Sequence, residues 1–233
     1  MSDALRFAEH GAERVHAVLG ERELERLEDA LAPTDDGRPG ARLDDELASV
    51  ADMLACTGSV GRVAVRFGGA GMRPVRATLF DKRSDGNWAL GLHQDRTVAV
   101  RERRDAPGFG PWTVKAGRVH VEPPFEVIAR MVTLRVHLDP VDDDNAPLLV
   151  IPGSHRLGRL PEEAIAEFDA GAAAACHAAR GDIWVYGTPI VHGSAPVRAA
   201  GRRRRVLQLD YAADPLPGGL EWAHIACREL EHQ

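Results

Sequence analysis

The sequence predicts a mainly β protein, an antiparallel sandwich or barrel with flanking helices. Two observations carry this. From Val60 onward, short runs at 60–67, 75–81, 97–103, 131–138, 147–151, 182–186 and 203–211 are punctuated by Gly and Pro, and in several of them Val, Thr and Leu alternate with Arg, His and Gln. Few helical patterns separate these runs, 161–168 being the clearest, so the regular crossover helices of a parallel sheet are missing.

Ahead of the β-rich part, residues 3–31 read as helical. Leu5, Val15, Val18, Leu19, Leu24, Leu27 and Leu31 follow a rough 3.6 period between charged residues, with Gly11 and Gly20 as points where the segment can break. Pro33 to Gly37 is a turn cluster. A second helix is expected over 43–56, with Asp44 or Asp45 near its start and Gly58 past its end. The stretch 104–124 is rich in Pro and Gly and shows no period; loops of that length are often lids or binding loops. Ala170 to Ala175 reads as a loop leading into a strand.

Composition narrows the function. The chain has 233 residues, 44% of them hydrophobic and 27% charged, which suits one folded domain with an ordinary core. The net charge of −6 gives no whole-chain basic footprint for nucleic acid, and 5% aromatics offers no stacking platform for single strands. Cys56, Cys176 and Cys227 are too scattered for a disulfide framework or a zinc motif, and are expected to be unpaired thiols. The first nine residues are charged and lack an apolar signal region, and no apolar run is long enough to span a bilayer, so a cytoplasmic protein is expected. Nothing in the sequence speaks to oligomeric state.

The strongest local signal is Leu92-His93-Gln94-Asp95. Residues two apart on a strand face the same way, so His93 and Asp95 present an imidazole and a carboxylate side by side. A third ligand would complete a facial triad with open positions on the metal. His192 is a candidate, since Gly181 to Tyr186 reads as a strand and Gly187 to Ser194 as a turn and an extended piece. On its own, HxD also describes an ordinary surface strand.

HxD does not stand alone. His93-Gln94-Asp95, then Asp144-Asn145-Ala146-Pro147-Leu148 leading into Ile151-Pro152-Gly153-Ser154-His155-Arg156, then Gly181-Asp182, then His192-Gly193-Ser194 before a basic β-run, form an ordered set. With Leu79-Phe80-Asp81-Lys82 and Asn87-Trp88 ahead of it, the set resembles the phytanoyl-CoA dioxygenase family of Fe(II)/2-oxoglutarate oxygenases across about residues 60–212. The resemblance implies a double-stranded β-helix, a cupin-like jelly-roll barrel. On this view residues 1–58 are a helical support, 59–212 the jelly-roll core and 213–233 a C-terminal tail of one domain. It also implies the cofactors Fe(II) and 2-oxoglutarate, with O2 and a small molecule as co-reactants, and succinate and CO2 as products. His93, Asp95 and His192 map onto the family's iron ligands. His155 falls in a structural turn rather than on the metal.

A dicarboxylate co-substrate needs a fixed cation, and the fork of an arginine suits a carboxylate. The resemblance places that anchor at the start of the last strand, on Arg204 or, if the register shifts by one, Arg203. It also puts Ser194, Gln94 and Thr133 near the co-substrate. Read with period 2, Arg204, Val206, Gln208 and Asp210 share one face of the last strand, and Arg203, Arg205, Leu207, Leu209 and Tyr211 a core-packed one. The loop before it departs from the family, with Val197 or Arg198 where an Asn is usual. A run of four arginines also fits a solvated basic turn. Arg135 alternates with apolar neighbours and faces either a barrel lumen or solvent. Lys82, Asn87, Trp112, His120 and Arg135 are the candidate substrate contacts, with surface roles as the alternative.

Three functions compete. The first is hydroxylation of a small polar metabolite or natural-product intermediate, with desaturation, epoxidation or cyclisation as branches. The second is a halogenase, which would need a halide where Asp95 stands. The third is a non-enzymatic cupin-like binder of metal or small ligand, which would need no 2-oxoglutarate clamp such as Arg204 and Ser194.

Overall fold

The computed structural model describes residues 4–34, 39–83, 89–198 and 201–223. The helices are α1 (Phe7–His10), α2 (Glu21–Leu31), α3 (Ala51–Leu54), α4 (Ser59–Gly68), α5 (Phe125–Ala129) and α6 (Glu162–Ala166). The strands are β1 (Ala12–Val15), β2 (Gly40–Leu43), β3 (Arg73–Arg83), β4 (Leu90–His93), β5 (Val98–Ala99), β6 (Trp112–Lys115), β7 (Arg118–Val121), β8 (Val132–His137), β9 (Leu148–Val150), β10 (Ala174–Cys176), β11 (Ile183–Gly187), β12 (His192–Ser194) and β13 (Arg203–Ala212). Six strands form a large antiparallel sheet in the order β1-β11-β8-β13-β3-β2. Four form a smaller one, β10-β9-β12-β4, and β5-β7-β6 make a separate ribbon.

The two main sheets face each other as a jelly roll. Trp184 and Tyr186 of β11 pack on Leu148, Val150 and Cys176 of the small sheet. The hydrogen-bond ladders do not join the two sheets into a closed barrel among the described residues.

The large sheet separates two environments by strand period. On its outer face, Ala77, Leu79, Leu134, Val136, Ile183, Val185, Leu207, Leu209 and Tyr211 join α2, α3 and α4 in the main core. The amphipathic α2 contributes Leu24, Leu27, Ala30 and Leu31, and Glu23 reaches back to the Gly20 amide at 3.2 Å to start it. On its inner face, Arg76, Thr78, Phe80 and Lys82 of β3 line a cavity together with Arg204 and Gln208 of β13 and Arg135 of β8.

Several sequence expectations are corrected here. Residues 3–31 are not one helix: Gly11, at φ 78°, ends α1, and the chain then adds β1 to the edge of the large sheet. Residues 60–67, read as a strand, form α4; Val60, Val63 and Ala64 also suit one buried helix stripe, and a short apolar run does not distinguish the two periods. The helix expected over 43–56 is reduced to a 3-10 segment, Asp45–Val50, followed by the single turn of α3. The 97–103 strand shrinks to β5. The aperiodic 104–124 stretch carries the β6–β7 hairpin. Cys56 and Cys176 are free thiols, and Cys227 lies outside the described residues. Among the described residues no helix is long and apolar enough to cross a membrane.

Candidate active site

His93 and His192 sit directly opposite each other on β4 and β12, so the ladder itself sets one ligand beside the other. Their ring centroids are 4.4 Å apart. Asp95 lies just past the end of β4, and one ligand atom from each of the three falls within 4.8 Å of the others. Two quite different sequence positions thus converge because one short β-bridge joins them.

The surroundings leave the right atoms available for a metal. His93 Nδ1 donates to the Gly91 carbonyl at 2.8 Å, and His192 Nδ1 to the Ile190 carbonyl at 2.9 Å. A backbone carbonyl accepts only, so each ring carries its proton on Nδ1 and presents an unprotonated Nε2. Burial lowers the His192 pKa to about 4, which keeps it neutral. Asp95 accepts from Arg76 Nη2 at 3.1 Å through Oδ2, leaving Oδ1 for a ligand bond. Burial alone would raise the Asp95 pKa, but Arg76, His192 and His93 outweigh it and hold the carboxyl well below its ordinary range. Arg76 also donates to Asp210. Asp210 accepts from Thr133 Oγ1 at 3.0 Å and is held above the ordinary carboxylate range by burial, with Asp95's charge adding to it. Two imidazoles and one carboxylate, each fixed by an outer hydrogen bond, fit a first-row divalent metal.

Beside the triad lies a cavity of about 190 Å³. Arg204 is 1% exposed, donates to the Ala146 carbonyl at 2.6 Å, and leaves Nε without a partner. It has no carboxylate partner among the described residues. Ala146 itself sits at φ 52°, so the Asp144-Asn145-Ala146-Pro147 segment aims that carbonyl at the arginine. Lys82 donates to Ser194 Oγ at 2.8 Å and to the Ala195 carbonyl at 3.2 Å. Arg135 lies over the Phe80 ring at 5.1 Å, and its Nε also lacks a partner. Burial first, and mutual repulsion second, lower Lys82 to about 7 and Arg204 to about 9. Buried cations at depressed pKa values mark a place where an anion would be welcome.

The other sequence candidates separate. Arg203 turns to the opposite face and holds Asp81 with both nitrogens, at 2.8 and 2.7 Å, so Arg204 is the arginine in the cavity. Gln94 is turned away: its amide donates to the Gly158 and Pro189 carbonyls at 3.0 and 2.8 Å and its oxygen accepts from Leu160 N at 3.0 Å. It braces the loops behind the triad and does not line the cavity beside it. Thr133 is buried behind the triad against Asp210 and Thr188. Trp112 packs in a side cluster under Arg103, away from the cavity. His120 is fully buried and bonds Arg42 at 2.7 Å without lining the cavity. Lys82, Arg135 and Ser194 do line it. Asn87 lies outside the described residues.

Among the cavity or support residues not singled out from the sequence are Arg42, Arg76, Lys115 and Tyr186. Arg76 had a usable signal, because Arg76, Thr78, Phe80 and Lys82 alternate with apolar residues across an expected strand. Arg42 and Lys115 had none; they reach the cavity from an unread edge strand and an unread hairpin.

The remaining motif pieces have structural work. Ser154 Oγ donates to the Ile151 carbonyl at 2.7 Å and accepts from Val191 N at 2.8 Å, tying the Pro-Gly-Ser-His turn to the residue before His192. Gly181, at φ 87°, turns the chain so that its amide meets the His137 carbonyl at 2.8 Å.

A two-histidine, one-carboxylate site that leaves part of the metal's coordination sphere open is the mark of the mononuclear non-heme Fe(II) oxygenases. Sequence comparison gives the branch: this chain belongs to the phytanoyl-CoA dioxygenase (PhyH) family, which it matches over residues 7–206. The family is one of 2-oxoglutarate-dependent dioxygenases that use Fe(II). No curated protein matches the chain. Among solved structures, HygX from Streptomyces hygroscopicus, crystallised with nickel and 2-oxoglutarate, is 18% identical with a TM-score of 0.60, covering 88% of this chain and 84% of that one. EctD from S. alaskensis, with 2-oxoglutarate and 5-hydroxyectoine, is 17% identical with a TM-score of 0.63, covering 89% and 73%. EvdMO1 is 18% identical with a TM-score of 0.60; 89% of this chain is covered, but it spans only 48% of that protein. At these identities the likeness establishes the jelly-roll fold.

Proposed function

We propose that this protein uses O2 and 2-oxoglutarate to hydroxylate a small polar metabolite or natural-product intermediate, releasing succinate and CO2. The residues of 59–212, braced by 1–58, act as one catalytic unit. His93 Nε2, His192 Nε2 and Asp95 hold Fe(II), and Arg204, with Lys82 and Ser194 beside it, takes the far carboxylate of 2-oxoglutarate. Bound Fe(II) supplies the redox chemistry that couples oxidative decarboxylation of 2-oxoglutarate to oxidation of a substrate C–H bond. The protein's own part is positional. Gly91 and Ile190 fix the two imidazole tautomers, and Arg76 orients Asp95. Arg135, opposite Gln208 on β13 and lining the same cavity, adds positive potential where a 2-oxo acid would lie.

One observation carries this reading: the metal donor set and a buried arginine that has no carboxylate partner among the described residues open into the same cavity. A protein that merely stores metal has no use for the arginine. Asp95 also occupies the position a halide would need, which favours oxygen transfer over halogenation.

The test supplies Fe(II), 2-oxoglutarate and a substrate panel under isotopically labelled O2, with and without chloride. Label is expected in succinate and in a hydroxylated product, independent of chloride. A chlorinated product, or full metal affinity in the His93→Ala/Asp95→Ala double variant, would overturn the assignment.

A further inference from the structure

The cavity carries more positive charge than iron and 2-oxoglutarate account for. Its lining holds six basic side chains, Arg42, Arg76, Lys82, Lys115, Arg135 and Arg204, against the single carboxylate Asp95 among the described residues. This is the reverse of the chain as a whole, whose net charge is −6. Arg76 is committed to Asp95 and Asp210. Lys82, Arg135 and Arg204 gather at the Ser194 end. That end is where the functional reading above puts the far carboxylate of 2-oxoglutarate. Arg42 and Lys115 are left over.

These two residues form a separate group. Arg42 on β2 is the register partner of Thr78, and Lys82 lies four residues further along β3, about 13 Å at the usual strand rise. Phe80 stands between them on the same face. Lys115 bonds Thr97, two residues past Asp95, and Arg42 stands opposite Thr78, two residues along β3 from Arg76, so both line the triad end of the cavity.

Their hydrogen bonds aim them without neutralising them. His120 Nδ1 meets the Arg118 carbonyl at 3.0 Å, so the ring's Nε2 accepts from Arg42 Nη1 at 2.7 Å. Burial lowers His120 to about 4, which keeps it a neutral acceptor. Lys115 Nζ donates to Thr97 Oγ1 at 3.2 Å and keeps its other protons. The neighbouring Arg118, by contrast, is matched by Asp44 at 2.6 Å. Neither Arg42 nor Lys115 has a carboxylate within ion-pair distance among the described residues.

We propose that Arg42 and Lys115 form the subsite that recognises an oxyanion group, carboxylate or phosphate, on the substrate, beside the triad and apart from the 2-oxoglutarate anchor. This rests on the functional reading above and narrows the substrate to an anionic small molecule. A guanidinium and an ammonium converging from two strands suit either oxyanion, one by its fork and the other as a point charge.

The experiment uses the full chain loaded with Mn(II) and 2-oxoglutarate without iron, so no turnover occurs. Inorganic phosphate is followed by its phosphorus line, and 4-fluorobenzoate and neutral 4-fluorobenzyl alcohol by their fluorine lines. Saturable paramagnetic broadening of phosphate or fluorobenzoate, but not of the alcohol, is expected, and the stronger of the two names the oxyanion. Arg42→Gln and Lys115→Gln should each weaken that binding about tenfold, a typical cost for one charge partner, and change 2-oxoglutarate affinity by less than about twofold. Lys115 is exposed, so its variant tests the idea even where Arg42→Gln perturbs folding. Equal broadening in wild type and Lys115→Gln, or anions no better than the alcohol, would overturn the proposal. A metal-loaded wild type that fails to bind 2-oxoglutarate would instead overturn the functional reading beneath it.

Discussion

Arg203 and Arg204 are neighbours in a run of four arginines, yet strand alternation sends one to the buried Asp81 on the outer face and the other into the cavity. Arg204→Ala should weaken 2-oxoglutarate binding by roughly 2–5 kcal/mol, the usual cost of removing one partner of a buried charge pair. Arg203→Ala should leave it nearly unchanged; calorimetric titration of the metal-loaded variants decides between them. Lys82 predicts a pH effect. Its folded pKa is about 7 against an ordinary 10.5, so between those values the folded protein holds fewer protons than the unfolded chain. Stability of the ligand-free protein should therefore gain with rising pH from about 7 to about 10.5 through this group. Lys82→Met should stabilise the ligand-free protein near pH 7, remove that gain and weaken 2-oxoglutarate binding. Denaturant melts of both proteins at pH 7 and 9 check it, and equal slopes would refute it.

The β4–β12 bridge is the element that brings two remote histidines together into a candidate metal site. Its close approach depends on Gly193: a Cβ there would stand 2.7 Å from the Leu90 carbonyl oxygen, a backbone atom with little freedom to yield. Gly193→Ala should push the strands apart at a cost of about 1–3 kcal/mol and separate His93 from His192. Metal affinity is expected to fall while the far-ultraviolet spectrum stays native, because the main core lies on the other side of the large sheet. Unchanged Ni(II) binding would show that the bridge does not set the ligand spacing. The sequence displayed little of this element. β4 and β12 have four and three residues, too short for a strand pattern to register, and only the motif residues within them drew notice.

Across the molecule, the cavity gathers like charges that repel one another, so an anionic ligand should contribute to stability as well as to chemistry. By mass action, Mn(II) plus 2-oxoglutarate at about a hundredfold excess over Kd should add about 2.7 kcal/mol, and a chain of this size should gain roughly 5–10 °C in Tm. Thermal melts with metal alone, 2-oxoglutarate alone and both together check this, with the largest shift expected for the pair. An additive or absent joint shift would mean that the two do not meet in one site.

The sequence by itself carried the resemblance to the family, and with it the jelly-roll class and the candidate triad, because the ordered motif residues are present in the chain. HxD on a strand puts two donors on one face, and period 2 divides β13 into an apolar face and a polar one. Tertiary structure alone decided what depends on pairing between distant segments. Residues 60–67 became a helix because α4 has an apolar core face to cover, and the 3–31 segment broke because β1 completes the large sheet's edge. Arg42 reaches the cavity through its pairing with β3 and Lys115 through the β6–β7 hairpin, while three loop backbone groups turn the Gln94 amide away from it. A side chain's type is a property of the sequence, but which cavity it reaches is set by the register of strands far apart in the chain, and no local pattern encodes that register.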